Sequence, residues 1–157
     1  RPNGGASFFV ELPVSGARMP ATPAPRPRPP AASTSENGTI LVVDDEAALA
    51  AAVSAALQDA GYTVELASDG EQALLRCQSR RFDLVICDLK MPRVDGRTFF
   101  RMLVAASPAM ASRVIFVTGD VAGTEAEQFL EESGCRWLAK PFRLGDLVRA
   151  AREALAR

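Results

Sequence analysis

Histidine is absent from this chain of 157 residues. The absence excludes imidazole acid–base catalysis and histidine metal ligands within the chain. The sequence also lacks any apolar stretch near the roughly 18 residues that a membrane-spanning helix requires, and it opens on no signal-peptide pattern. We therefore predict a cytoplasmic domain, and this prediction leaves open a membrane anchor elsewhere in a parent protein.

Basic clusters are missing and cysteine is scarce. The formal net charge is −1 and no run of Lys and Arg appears, so nucleic acid is not expected as a direct partner. Cys77, Cys87 and Cys135 lack the spacing of metal ligands, and Cys87 and Cys135 lie in apolar, strand-like runs. We interpret all three as reduced thiols in the core of a cytosolic protein.

Proline divides the chain into segments. Eight of the eleven prolines lie in residues 1–36, and residues 15–37 are predicted to form a semi-rigid extended linker. Before it, residues 4–13 place apolar side chains at alternate positions, which is typical of a half-buried strand. Residues 38–157 have the length and composition of one globular domain.

That last segment alternates short apolar runs with longer helical stretches, as βα units around a parallel sheet do. The predicted strands are residues 40–43, 63–66, 84–87, 114–117 and 135–138. The predicted helices are about residues 46–60, 71–78, 96–106, 125–132 and 144–156. Because crossovers between parallel strands are right-handed, we predict an α/β fold: a doubly wound five-stranded parallel sheet of order 2-1-3-4-5 with five helices.

Local signals agree with these helix boundaries. Gly61 and Gly134 stand where helix C-termini favour a left-handed residue. Ser68 and Thr124 each stand three residues before a glutamate, which is capping-box spacing. Both serve as candidate N-terminal caps of the helices predicted from about residues 71 and 125.

Four of the predicted strands end at residues suited to phosphate and metal chemistry. Asp44 and Asp45 follow strand 1, Asp88 follows strand 3, Thr118 follows strand 4, and strand 5 ends shortly before Lys140. In an open parallel sheet, ligands bind beyond the carboxyl ends of the strands, where the strand order reverses. These five side chains are therefore expected to form one site.

Three carboxylates at one point repel each other, by about 4 kcal/mol per pair at about 4 Å for an effective dielectric near 20. A divalent cation removes this repulsion, and oxygen ligands without histidine or cysteine suit Mg²⁺. The cation would screen Asp88 from an incoming phosphoryl group, and a carboxylate nucleophile yields an acyl phosphate. Lys140 and the Thr118 hydroxyl would hold two further phosphoryl oxygens.

Each of these residues also has a plain structural explanation. Asp44 or Asp45 can cap the helix that follows strand 1, and Asp88 can belong to a turn. Thr118 can end a strand without any function, and Lys140 can be an ordinary loop lysine. The functional interpretation is favoured because four independent strand ends all carry the right residue type.

The sequence resembles the receiver domains of bacterial response regulators over residues 38–157. The matching motifs are ILVVDDE at residues 40–46, DLKMPRVDG at 88–96, VTG at 117–119 and KPF at 140–142. The intervals from Asp45 to Asp88, Thr118 and Lys140 are also similar to the family's spacing. The resemblance implies a flavodoxin-like receiver fold. It further implies that the domain catalyses its own aspartyl phosphorylation and dephosphorylation.

The resemblance assigns roles to the same residues. Asp88 is implied to be the acceptor of a phosphoryl group from a phosphohistidine on another protein. Asp45, Asp88 and the backbone carbonyl of Lys90 are implied to bind Mg²⁺, and Asp44 to assist through water. Thr118 and Lys140 are implied to contact the phosphoryl group.

Some positions depart from the family's commonest pattern or vary within it. Gly119 stands where alanine is usual, and Trp137 occupies the position of the switch aromatic, which is more often tyrosine or phenylalanine. Lys90 and Asp120 lie two residues beyond Asp88 and Thr118, at positions whose side chains influence hydrolysis of the acyl phosphate in the family that the sequence resembles. Our hypothesis is that Lys90 and Asp120 pair over the site and slow hydrolysis, and the alternative is a plain exposed ion pair.

Residues 4–13 look like the last strand of the ATP-binding domain of a histidine kinase. Residues 1–14 would then be a remnant of that domain, and the parent protein a hybrid histidine kinase. Because the chain begins at Arg1 rather than Met, we expect a piece of a longer protein. Expected partners are the kinase's phosphohistidine domain and a histidine phosphotransfer protein or other downstream protein. The contact face is expected at about residues 125–156.

Three alternatives remain open from the sequence. A stand-alone receiver would act as a phosphate sink. A degenerate receiver would act only as a protein-binding module, although no catalytic group is missing. A Mg²⁺ phosphohydrolase with an aspartyl nucleophile usually carries a second Asp two residues after the first, where Lys90 stands here.

Overall fold

The computed structural model describes residues 37–119, 121 and 124–157, with the side chain of Thr124 excepted. The predicted strand at residues 4–13, the linker before Asn37 and Asp120 lie outside this part. The predictions that concern them, including the boundaries at residues 14 and 37, therefore stay predictions.

Five strands and six helices make up the described part of the chain. The strands are β1 (Thr39–Val43), β2 (Thr63–Ala67), β3 (Leu84–Asp88), β4 (Val114–Thr118) and β5 (Arg136–Ala139). The helices are α1 (Ala47–Asp59), α2 (Gly70–Ser79), α3 (Gly96–Ala106), α4 (Pro108–Ala111), α5 (Thr124–Ser133) and α6 (Leu144–Leu155). Every predicted strand and helix is present, with its ends within one residue of the predicted ones.

The strands form one parallel sheet of order β2-β1-β3-β4-β5. This confirms the predicted doubly wound fold and its strand order. The order reverses between β1 and β3, where Val43 lies opposite Cys87 in the register. The residues that follow these two strands therefore emerge side by side at the carboxyl edge of the sheet.

Hydrophobic side chains cover both faces of the sheet, because successive residues of a strand point to opposite sides. Leu41, Val85 and Phe116 belong to the core shared with α2, α3 and α5. Ile40, Ile86 and Ile115 belong to the core shared with α1 and α6. Each such buried side chain contributes about 1.5–3 kcal/mol of transfer free energy. Strands buried on both faces explain the continuous apolar runs in the sequence.

Helix α4 is the element that the sequence did not predict. Four residues are too few to show a helical period, so the pattern gave no indication of it. Pro108 occupies the first turn of α4, where the backbone N–H groups have no partner within the helix, so the N–H that proline lacks is not needed.

The sequence correctly predicted a left-handed glycine after two helices, but it placed the cap of α2 one residue too early. Gly61 and Gly134 have φ of 94° and 66°, as a left-handed residue after a helix requires. Asp69, rather than the predicted Ser68, caps α2 by accepting a hydrogen bond from the Gln72 amide at 2.9 Å. The Gln72 side chain accepts from the Ser68 amide rather than from the amide of the cap residue Asp69, so the reciprocal bond of a regular capping box is displaced by one residue.

The three cysteines carry free thiols. Cys87 is fully buried, and Cys77 and Cys135 are half-buried. Burial raises the pKa of each thiol above its ordinary value, so all three favour the protonated form. None of the helices in the part that the structure describes is long and apolar enough to cross a bilayer.

Candidate functional site

Three carboxylates meet at the carboxyl edge of the sheet. Asp44 and Asp45 follow β1, Asp88 is the last residue of β3, and one oxygen from each lies within 4.8 Å of the other two. Asp44 and Asp88 are buried, whereas Asp45 is exposed. The adjacency of β1 and β3 at the point of strand reversal brings these groups together despite the mutual repulsion of their charges.

Lys140 reaches the carboxylates from the loop after β5. Its Nζ lies 3.0 Å from Asp88 Oδ2 and 3.3 Å from Asp44 Oδ2. Its backbone amide donates to the Thr118 carbonyl oxygen at 2.7 Å, which continues the pairing of β4 with β5 beyond the last strand residue. One ammonium group therefore bridges two buried carboxylates.

The charges in this cluster shift one another's pKa. Burial raises the pKa of Asp88 above its ordinary 3.8, and the Lys140 ammonium and the Lys90 amide oppose that effect only in part. Burial lowers the pKa of Lys140, but the Asp88 and Asp44 carboxylates outweigh burial, and its pKa is raised above 10.5. At neutral pH the site consequently holds a protonated lysine beside an aspartate that is costly to ionise.

Backbone amides hold both buried carboxylates in place. The Lys90 amide donates to Asp88 Oδ1 at 3.1 Å, and the Glu46 amide donates to Asp44 Oδ1 at 2.8 Å. Asp44 therefore does contact the start of α1, as the structural alternative anticipated. Its other oxygen lies against Lys140, so the helix contact and the site contact coexist.

Thr118 lies at the end of β4 and is almost fully buried. In the sheet register it lies opposite Ala139, one residue before Lys140, and its neighbour Val117 lies opposite Asp88. The structure thus brings together at one edge all five side chains that the strand ends predicted. The predicted pairing of Lys90 with Asp120 stays a prediction, because Asp120 is not among the residues that the structure describes.

Gly96 lets the chain after β3 fold tightly against the Asp88 backbone. A Cβ at Gly96 would stand 2.4 Å from the Asp88 carbonyl oxygen and 2.8 Å from the Leu89 Cα. The Gly96 amide donates to the Leu89 carbonyl oxygen at 3.0 Å, which closes this loop. The loop from Leu89 to Gly96, which carries Lys90, is therefore packed too closely for any side chain at Gly96.

We expect Gly96→Ala to destabilise the domain by about 2–3 kcal/mol, because its Cβ would press on backbone atoms that cannot rotate away. Gly119→Ala is the matched control, since its Cβ would lie 3.8 Å from the Lys140 Cβ, an ordinary contact distance. The control should change stability by less than about 0.5 kcal/mol. Urea unfolding measures both variants, and equal destabilisation by the two substitutions would contradict the close approach at Gly96.

Asp69 and Arg93 form an ion pair near the site that the sequence analysis missed. Asp69 is fully buried at the start of α2, and Arg93 lies in the loop between β3 and α3 with φ of 63°. The signal for the cap was present, because Asp69 stands three residues before Gln72. Nothing in the sequence indicated its pairing with a residue 24 positions away.

The environment of Asp69 makes the stability of the domain pH-dependent. The hydrogen bond from the Gln72 amide lowers the pKa of Asp69 below 3.8, and Arg93 lowers it further against the opposing effect of burial. A carboxyl group whose pKa is lower in the folded state stabilises the fold above about pH 3.8. That stabilisation is lost as the pH falls through the folded-state pKa.

We therefore expect Asp69→Asn, which retains a capping oxygen, to lower stability at pH 7 by about 1–2 kcal/mol. The difference from wild type should shrink as the pH falls below about 3.8, because wild-type Asp69 then becomes protonated as well. Urea unfolding across this pH range tests the prediction. A difference that stays constant down to the lowest accessible pH would refute it.

Trp137 lies on the edge strand β5 with 42% of its surface exposed. In the register it lies opposite Phe116. The ring of Phe116 makes edge-to-face contacts with Phe100 and Phe129, with centroids 5.5 and 5.4 Å away. Aromatic rings therefore already fill the core between β4, α3 and α5, while the indole lies at the surface.

The donor set at the carboxyl edge fits a hard divalent cation. Carboxylate oxygens are the only side-chain ligand type in the cluster of Asp44, Asp45 and Asp88. Oxygen-only ligation with one exposed carboxylate is the kind of site that Mg²⁺ prefers. Cys87 is adjacent in sequence, but burial, and then the Asp88 charge, raise the pKa of its thiol well above 9.0. It is therefore a poor ligand and a poor nucleophile.

The doubly wound sheet carries its lysine-bridged carboxylates at the switch point, where ligands bind in sheets of this kind. Residues 40–152 match the family model described as "Response regulator receiver domain". The chain belongs to this family.

Known proteins support this assignment. The chain is 35% identical over 123 residues to the transcriptional regulatory protein ZraR of Escherichia coli O157:H7, covering 78% of this chain and 27% of that protein. The solved structure of the chemotaxis protein CheY4 of Vibrio cholerae superimposes with a TM-score of 0.68 at 35% identity, covering 74% of this chain and 98% of CheY4. The chain spans between about a quarter and a half of the length of the curated relatives that it matches.

A third relative is the signal receiver domain of a signal transduction histidine kinase from Syntrophus aciditrophicus. Its structure superimposes with a TM-score of 0.69 at 27% identity, covering 76% of this chain and 90% of that chain. Receiver domains similar to this one are therefore found both in response regulators and in histidine kinases.

Proposed function

We propose that this receiver domain accepts a phosphoryl group on Asp88 from a phosphohistidine on a partner protein, with Mg²⁺ bound beside it. The observation that carries the proposal is the contact of Lys140 Nζ with Asp88 Oδ2 at 3.0 Å, within a cluster of three convergent carboxylates. A half-buried lysine and a buried aspartate at the carboxyl edge of a parallel sheet together offer a cation and a carboxylate to a phosphoryl group.

Asp45, Asp88 and the backbone carbonyl of Lys90 would hold the Mg²⁺, and Asp44 would assist through water. When bound, the cation neutralises carboxylate charge and the charge on the phosphoryl oxygens during transfer. Three convergent carboxylates with one exposed member support this assignment.

The chain's own residues would carry out the transfer as a displacement at phosphorus. An Asp88 oxygen forms a bond to phosphorus while the bond from phosphorus to the partner's imidazole nitrogen breaks, and the electron pair of that bond stays on the imidazole. Lys140 contributes a positive charge to one phosphoryl oxygen, and the Thr118 hydroxyl donates to another. The Lys90 amide orients Asp88 by binding its other oxygen.

The competing functions are less well supported. An aspartyl phosphohydrolase would carry a second acid two residues after its nucleophile, and Lys90 stands there. A receiver that only binds a protein would be expected to have lost part of the site, whereas here Lys140 contacts both Asp44 and Asp88.

We further propose that the parent protein is a hybrid histidine kinase that acts at the cytoplasmic side of its pathway. The similarity to the receiver of a Syntrophus histidine kinase and the kinase-like residues 4–13 support this proposal. The partners would be the kinase's phosphohistidine domain and a histidine phosphotransfer protein, with residues 125–156 as the contact face. The alternative is a stand-alone receiver that acts as a phosphate sink.

Intact-mass measurement after incubation with acetyl phosphate tests the phosphoacceptor function. We expect the chain to gain the mass of one phosphoryl group in the presence of Mg²⁺ and to gain none in EDTA. No gain under either condition would favour the protein-binding module. Rapid turnover of p-nitrophenyl phosphate would instead favour a phosphohydrolase.

A further inference from the structure

The loop between β3 and α3 is joined to the start of α2 by two contacts. The Gly70 amide donates to the Val94 carbonyl oxygen at 3.1 Å, and the Arg93 guanidinium pairs with the Asp69 carboxylate. A Cβ at Gly70 would stand 2.7 Å from the Val94 carbonyl oxygen. This part of the loop therefore lies directly against the helix N-terminus.

Both oxygens of the Asp69 carboxylate accept hydrogen bonds at this junction. Its Oδ1 accepts from the Gln72 amide at 2.9 Å, and its Oδ2 accepts from Arg93. The Asp69 side chain is 1% exposed, whereas the Arg93 side chain is 65% exposed. Arg93 therefore reaches in from the surface to a charge that is fixed in the interior.

Arg93 makes this contact from an unfavourable backbone conformation. Its φ of 63° lies in the left-handed region, which costs a residue with a Cβ about 1–2 kcal/mol. Glycine or asparagine would adopt this conformation more readily. The ion pair with Asp69 supplies a reason for arginine at a position whose backbone disfavours it.

The same loop carries the groups that face the carboxylate cluster. Lys90 lies three residues before Arg93, and its amide donates to Asp88 Oδ1 at 3.1 Å. The loop is closed at its base by the bond from the Gly96 amide to the Leu89 carbonyl oxygen. Because the base of the loop is closed, the position of the rest of the loop depends on the contacts of Arg93 with Asp69 and of Val94 with Gly70.

We propose that Asp69 and Arg93 are positioning residues, whose ion pair fixes the β3–α3 loop so that the Lys90 backbone carbonyl is held ready for the cation. The proposal rests on the proposed function, because it assumes Mg²⁺ at the carboxylate cluster. Neither residue would touch the cation or the phosphoryl group. Their effect would come from ordering the loop before the cation binds, since partners behind metal ligands commonly raise metal affinity in this way.

Calorimetric titration with Mg²⁺ tests the proposal on Arg93→Ala, which leaves the Asp69 cap of α2 intact. We expect the dissociation constant to rise about tenfold, at the lower end for groups that support metal ligands. Hydrogen exchange without metal should show faster exchange of the amides of residues 90–95. A role for Asp69 limited to capping α2 would move neither measurement.

Two further variants separate the ion pair from the backbone. Arg93→Gly relieves the left-handed conformation but lacks the ion pair, so it should bind Mg²⁺ as weakly as Arg93→Ala. Arg93→Lys retains a charge and should recover part of the affinity. The matched control is Arg76→Ala, which removes an α2 ion pair to Glu65 of 3.0 Å and should leave the affinity unchanged.

The outcomes distinguish this inference from the proposed function. Wild-type affinity in Arg93→Ala, or in Arg93→Gly alone, would overturn the role of the ion pair while the proposed function stands. The same loss of affinity in Arg76→Ala as in Arg93→Ala would also overturn it. A wild-type chain that binds no Mg²⁺ would overturn the proposed function, and this inference with it.

Discussion

The Asp88→Asn variant is expected to gain no phosphoryl group from acetyl phosphate under conditions in which the wild-type chain gains one. An amide oxygen is a far weaker nucleophile than a carboxylate oxygen and forms no acyl phosphate. The substitution retains the shape of the side chain, so the fold should persist. Intact-mass measurement after equal incubation checks the result, and circular dichroism checks the fold.

An aspartate in the loop that follows Asp88 provides the matched control. Asp95 caps α3 by accepting from the Thr98 amide at 2.8 Å, and asparagine caps a helix about as well as aspartate does. Asp95→Asn should therefore be phosphorylated like wild type. If Asp88→Asn still gained the phosphoryl group in full, the acceptor would have to lie elsewhere, and the proposed function of this site would fail.

The Lys140→Met variant is expected to lose about 3 kcal/mol of stability in the absence of divalent cations, because it leaves two buried carboxylates without their counter-charge. Asp44 and Asp88 both lie within hydrogen-bonding distance of Lys140 Nζ and are at most 6% exposed. Saturating Mg²⁺ should narrow the difference in stability between variant and wild type, because the bound cation would supply the carboxylates with the positive charge that the variant lacks. Phosphorylation should slow about 100-fold, as when one preorganised charge contact is removed.

A surface cation remote from the site provides a control for the stability measurement. The Arg149 side chain is 67% exposed and pairs with Asp146 on the same helix, so Arg149→Met should change stability by less than about 0.5 kcal/mol. Urea unfolding of wild type and both variants, with EDTA and with Mg²⁺, gives the six free energies of unfolding that are needed. If Lys140→Met were as stable as wild type in EDTA, the Lys140 ammonium would not be compensating the charges of Asp44 and Asp88.

The fold could be predicted because the same short sequence pattern, an apolar strand followed by a helix, repeats along the chain. Short apolar runs separated by longer helical stretches identify βα units, and the handedness of the crossovers then restricts the strand order. Asp44, Asp88 and Thr118 were predicted to meet for the same reason, since each follows or ends a strand and parallel strands end at one edge.

Other features depend on contacts that no local pattern encodes. The pairing of Arg93 with Asp69 joins two loops and becomes visible only when α2 and the β3–α3 loop are packed together. The bridging of Asp44 and Asp88 by one Lys140 ammonium likewise depends on the loop after β5. Helix α4 is too short for a period, and the cap of α2 differed by one residue because Ser68 and Asp69 are both good capping types.

The exposure of Trp137 gives the domain an intrinsic optical probe. It is the only tryptophan in the chain, and 42% of its surface is open at the edge of the sheet. A protein that covers β5 would take the indole out of water and shift its fluorescence to shorter wavelengths, without any dye attached. Docking on this edge can therefore be followed in the unmodified molecule, with a tryptophan-free partner.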